Sequence, residues 1–196
     1  MLNRRVLRVR VLQFLYSYYS LLKFNDEPKQ LKGDFVRKIS NSLQEINKYY
    51  YKYLSIAIFL SDVNNEKREI AKSEKIKKSE SRFNLSGNKV IDFLRKNKQF
   101  IDNLIRYDIS WSSKSEEIRN WYNLILGEEI TKNYLLLSNP DFNDDFEYVK
   151  KLVNKILFKN EDIILYFENQ NIHWSDDRLI IRSMIKKTIE SLNSPN

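Results

Sequence analysis

The chain has 196 residues, no cysteine, and a composition that is 42% hydrophobic and 31% charged. That balance describes a folded chain long enough to bury a core, and it excludes a disordered tail, a disulfide scaffold, Cys-ligated zinc and thiol chemistry. A formal charge of +8 favours anionic partners such as RNA, DNA or an anionic membrane surface.

Only three glycines and three prolines occur. Strand-rich folds need many tight turns, so the pattern predicts an all-α chain. The first helix is expected over Arg4 to Phe24, with Asn3 as its cap. Leu7, Val11, Phe14, Leu15, Tyr18, Leu21 and Leu22 share one face at helical spacing. Arg4, Arg5, Arg8 and Arg10 flank that face and are expected to stay in solvent. Asn25 to Gly33 holds Asp26, Pro28 and Gly33 and reads as a turn. A second helix is expected from Asp34 to about Asp62, with tyrosines 49, 50, 51 and 53 on several faces. Residues 63–82 are dense in charges of both signs, which predicts a solvated helical continuation or connector.

After a loop around Gly87, a third helix is expected over Lys89 to Tyr107, with Val90, Phe93, Leu94, Ile101, Leu104 and Ile105 inward. A fourth is expected from Ser115, as its cap, through Leu126, with Ile118, Trp121, Tyr122 and Ile125 inward. Gly127 marks a stop or kink before a segment over 128–137, which Asn139 and Pro140 close. Three further helical pieces follow, over 144–158, 160–168 and 175–192. The last of them carries Ser175 as a cap with Asp176 and Asp177 at its start, where the helix dipole favours acids. Two domains are expected, 1–82 and 83–196.

No apolar run approaches the roughly 18 residues that a membrane span needs. The basic opening has the outline of a targeting peptide, but Gln13 and several tyrosines interrupt its apolar part and no small-residue cleavage site follows. The lack of cysteine fits a reducing cytoplasm.

No catalytic constellation stands out. His173 is the single histidine, and the glycines are isolated, so neither a His-rich metal site nor a phosphate-cradling loop is expected. The paired acids Asp144 with Asp145, and Asp176 with Asp177, sit where helix starts want them. The chain is expected to be no enzyme and to need neither cofactor nor metal. The arginines are a different matter. Guanidinium groups suit phosphate contact, and a purely structural helix tends to place acids in its first turn.

Two stretches, MLNRRVLRVRVLQFLYSYY and NIHWSDDRLIIRSMIKKTIESL, carry a family pattern. The first resembles the opening of NusB, the transcription antitermination factor, in the long form of Bacteroidetes-type bacteria. It shares the Arg-rich first helix and the pair Leu15 and Tyr16. The second resembles the Trp-x-Asp-Asp helix start of that form, and FEYVKKLVNKILFKNEDIILYFENQ looks like the helices between. The resemblance implies a NusB-like bundle of about seven to nine helices. It also implies a cytoplasmic, non-catalytic RNA-binding adaptor in transcription antitermination and ribosomal RNA synthesis. Its RNA would be a boxA-type single strand, held by Arg4, Arg5, Arg8 and Arg10, and its partner NusE, a small ribosomal-subunit protein. The long form continues for roughly another hundred residues, and the family's contacts to NusE lean on that part. The expectation is therefore a fragment or a shortened form. The alternative is a helical protein-interaction module, a truncated or degenerate relative without an RNA role.

Overall fold

The computed structural model describes residues 4–23, 28–73, 85–171 and 173–192, and for residues 5, 6 and 28–32 the backbone alone. These residues are all-α, with nine α-helices and no strand among them. In chain order they are α1 (Arg4–Leu22), α2 (Pro28–Ser73), α3 (Lys89–Lys96), α4 (Lys98–Arg106), α5 (Ser115–Gly127), α6 (Glu129–Leu135), α7 (Phe142–Lys151), α8 (Glu161–Gln170) and α9 (Trp174–Leu192). A π-helical turn, Leu152–Leu157, continues α7, and single 3₁₀ turns occur at Leu85–Gly87 and Ser112–Lys114. No helix among the described residues is long and apolar enough to cross a membrane.

The chain groups into two compact units, Met1–Tyr49 and Tyr50–Asn196. The expected boundary at 82/83 lies outside the described residues, as do the Asn3 cap and the turn residues Asn25 and Asp26.

Helix α2 corrects the expected turn before Asp34. It begins at Pro28 and runs through Gly33. Proline is tolerated in a first helical turn, where its missing N–H has no intrahelical partner, and an interior glycine weakens a helix without ending it. Gly33 is exposed, and a Cβ built there meets nothing within 4 Å. Gly33→Ala is therefore expected to stabilise the protein by about 1 kcal/mol, read as a higher denaturant midpoint. A lowered midpoint would contradict helix at this position.

In the second unit α2 is the central element. Tyr53, Leu54, Ile56, Ala57 and Leu60 are at most 1% exposed, as a helix surrounded on every side requires. Its buried polar residues tie down the neighbouring loops. Ser55 Oγ accepts from Trp111 Nε1 at 2.9 Å. Asn64 donates to the Tyr122 hydroxyl at 2.8 Å and accepts from the Ser86 N–H at 3.2 Å. Around Tyr53 the rings of Phe158, Phe167 and Trp174 form an aromatic cluster, with centroids 4.1, 5.0 and 5.8 Å away.

The single helix expected over 89–107 is two, broken at Asn97. Its extended backbone (φ −70°, ψ 105°) ends α3, and its side chain accepts from Phe100 N at 2.9 Å to start α4. The break resets the helical phase. Phe93 and Ile105, expected inward, are 52% and 74% exposed, whereas Ile91 and Phe100 are buried. The expected apolar face of α5 is buried throughout, at Ile118, Trp121, Tyr122 and Ile125. Ser115 lies within the first turn of α5 and is not its cap. At α9 the cap position falls to His173, whose carbonyl accepts from the N–H groups of Asp176 and Asp177, while Ser175 is already helical. Leu179 is 70% exposed.

Candidate nucleic-acid interface

Helix α1 has basic residues along its first half and no acid in its first turn. Within the first unit it packs on the start of α2 through aromatic edges. Phe14 lies 6.3 Å from Phe35, and Tyr18 lies 5.1 Å from the same ring. Leu7, Leu15 and Leu22 are half-buried. The covered stripe is displaced from the expected one. Val11 and Leu21 are 37% and 40% exposed, while Arg10 is 7% exposed.

Arg10 thus departs from its expected place in solvent, and helical geometry explains it. It sits three residues after Leu7 and four before Phe14, on the covered face. Its Nη1 donates to Gln13 Oε1 at 3.4 Å. Arg4 and Arg8 are exposed, as expected. The Arg5 side chain lies outside the described residues. The structure therefore puts Arg4 and Arg8 together and separates Arg10 from them.

The outward surface of α1 adds side chains that composition alone does not single out. Arg4, Arg8, Leu12 and Tyr16 follow one another at intervals of four, a row of about 18 Å along the axis. Leu12 is 65% exposed, Tyr16 80% and Tyr19 62%. The Tyr19 ring rests edge-on against Tyr18 at 5.8 Å, and Tyr18 in turn is held by Phe35. Charge occupies one end of the row and phenol faces the other. Guanidinium groups bind phosphate oxygens, and exposed rings offer platforms for unstacked bases. The interval of four from Arg4 is the signal that marks Tyr16 in the sequence; Tyr19 lies off it.

The tyrosines of α2 are committed to packing. Tyr49 and Tyr53 are buried. The Tyr50 hydroxyl lies 2.8 Å from Thr188 Oγ1, and the Tyr51 ring lies against Phe100 and Tyr107. Burial raises the Tyr50, Tyr51 and Tyr53 phenols above their ordinary pKa, Tyr53 furthest. The charged stretch that follows is helical through Ser73 and is tied to α5. Glu66 pairs with Arg119 at 2.8 Å, and Lys67 donates to Asn123 at 2.9 Å. Residues 74–82 lie outside the described residues.

In comparisons with protein-family models, curated proteins and solved structures, no match to this chain was found.

Proposed function

We propose that the chain is an adaptor that binds single-stranded RNA through α1 and performs no catalysis of its own. The observation that carries this reading is the exposed row on α1, with Arg4 and Arg8 at one end and Tyr16 beside Tyr19 at the other. Two cations on the first turns of a helix oppose its dipole at a cost of tenths of a kcal/mol. Contact with phosphate is the arrangement that offsets this cost. The finer form of the proposal follows the resemblance to NusB: a boxA-type strand, a NusE partner, and a cytoplasmic role in antitermination and ribosomal RNA synthesis.

The test is fluorescence anisotropy with a labelled boxA-type RNA and a scrambled RNA, at several salt concentrations, with and without NusE. Exchanging Arg4→Gln and Arg8→Gln is expected to flatten the log–log salt slope by about 1.4, from about 0.7 for each phosphate no longer neutralised. Tyr16→Ala is expected to lower affinity about tenfold, the scale of one base–ring stack. Unchanged slope and affinity in both variants would refute α1 as the RNA-binding surface. Preference for boxA sharpened by NusE supports the finer form, and equal binding to both RNAs removes it.

A second reading has an observation of its own. Val9 and Leu12, 48% and 65% exposed on the same outward face, suit an apolar protein surface. In that case Leu12→Ser abolishes capture of the partner, and RNA is not bound.

A further inference from the structure

A second concentration of positive charge lies in the other unit, on residues that the reading of α1 does not use. The end of α7, the π-helical turn and α9 enclose an open groove of about 690 Å³. Lys150, Lys151, Lys155 and Lys159 line one side, and Arg182 and Lys186 the other. Glu147 is the one acid among the lining residues.

The local fold explains how these cations come together. The Phe158 N–H bonds to the Val153 carbonyl, five residues back, at 3.2 Å. That wide turn lets the neighbours Leu152 and Val153, and then Ile156 and Leu157, enter the core. Lys151, Lys155 and Lys159 are left outside. Arg182 and Arg178 of α9 donate to the carbonyls of Asn154 and Phe158, each at 3.1 Å. These bonds hold α9 alongside the turn and satisfy acceptors at the negative end of a helix.

Two of the lining lysines have acidic neighbours: Lys150 lies 2.8 Å from Glu147 and Lys186 lies 3.7 Å from Glu190. Lys151, Lys155 and Lys159 are exposed, and no ion pair joins them to any of the described residues. Six cations against one acid line the groove, and a concave surface dominated by one sign of charge focuses potential and draws in counter-ions. Flexible ammonium groups one turn apart suit a row of phosphates better than a single anion, which is recognised by a fixed fork of donors.

We infer that this groove holds the phosphate backbone of a single nucleic-acid strand, with Lys151, Lys155 and Lys159 as its sequence-independent contacts. The inference rests on the RNA reading for the identity of its ligand but not for its place on the molecule. Its concavity argues against a bilayer, which would meet a flat or convex face. Leu179 is the lone exposed apolar side chain among the lining residues, so there is no apolar row to insert.

The experiment uses the full chain and a labelled single-stranded RNA. Lys151→Gln, Lys155→Gln and Lys159→Gln are combined in one variant, and the three Lys→Arg exchanges in another. All three positions are exposed, and circular dichroism confirms the helical fold of each variant. The glutamine variant is expected to flatten the salt slope by about 2, from three phosphates at about 0.7 each, and the arginine variant to keep it. A flattened slope here, with none from Arg4→Gln and Arg8→Gln, supports the groove and refutes α1. An unchanged slope here, with flattening from the α1 pair, overturns the groove and leaves the RNA reading intact. No effect from either overturns both. Binding of polyglutamate in place of RNA overturns the inference in favour of an acidic protein partner.

Discussion

Trp174→Ala is expected to destabilise the protein by about 4 kcal/mol, among the largest losses available to a single side chain. Trp174 opens α9 and is 0% exposed. Its ring stacks on Phe167, with centroids 4.6 Å apart and planes at 20°, and on Tyr53 at 5.8 Å and the same angle. Tyr53 stacks in turn on Phe158 at 4.1 Å. The four rings join α2, the end of the π-helical turn, α8 and α9. Alanine removes the indole from the middle of this cluster and leaves a cavity that rigid neighbours cannot close. Folded domains are stable by only about 5–15 kcal/mol, so most of the margin is at risk. Chemical denaturation should show a much lower midpoint with an unchanged slope. Trp174→Phe, which keeps an aromatic stack, should lose about half as much. A loss below about 1 kcal/mol for the alanine variant would contradict this cluster as the anchor of α9.

Asp145→Ala is expected to cost about 3 kcal/mol by a different route, the loss of a buried polar junction. Asp145 is 1% exposed on α7, and both carboxyl oxygens are used. One accepts from the Lys89 backbone N–H at 2.8 Å, the other from the Tyr134 hydroxyl at 2.5 Å. Asn88 completes the junction. Its side-chain oxygen accepts from Val90 N and Ile91 N, and its amide donates to the Tyr134 hydroxyl and the Asp145 carbonyl. The start of α3 is thus bound to α6 and α7, with Tyr134 stacked on Tyr148 at 4.1 Å. Burial, and then the hydrogen bond to Asp145, push the Tyr134 phenol well above its ordinary pKa. Removing the carboxyl leaves the buried Tyr134 hydroxyl and the part-buried Lys89 N–H without this acceptor, whereas Asp145→Asn keeps one acceptor oxygen and should lose less. Equal stabilities for wild type and the alanine variant would show that the junction contributes nothing.

The helix start at Asp144 and Asp145 shows what a local reading misses. Both acids do stand in the first turn of α7, as the dipole argument expects. Asp144 acts locally, in a capping box with Asp141. Asp145 points the other way and caps a helix more than fifty residues earlier, at Lys89. Neighbouring residues of one type thus serve two ends of the fold, and only tertiary contact distinguishes them.

The candidate interfaces divide in the same way. The arginine-rich opening is visible in the chain as written, and the helical interval that carries Tyr16 outward with Arg4 and Arg8 can be counted there. The burial of Arg10 cannot, because a stripe of mixed apolar and aromatic residues allows several rotations about the helix axis and the partner helix selects one. The groove lay further out of sight. Nothing in their spacing along the chain singles out Lys150, Lys151, Lys155 and Lys159. Their proximity to Arg182 and Lys186 depends on a π-helical turn and on two arginine–carbonyl bonds across gaps of 20 and 28 residues.

By itself the sequence determined the all-α class and most helix positions, since scarce glycine and proline and a period near 3.6 are local properties of the chain. It also set the positive balance that points to an anionic partner. Tertiary structure alone decided which side of each helix is covered, that Asn97 breaks a helix in two while Gly33 does not, and which cations converge. Those outcomes depend on competition between faces for the same buried space, and no single segment contains the information to settle it.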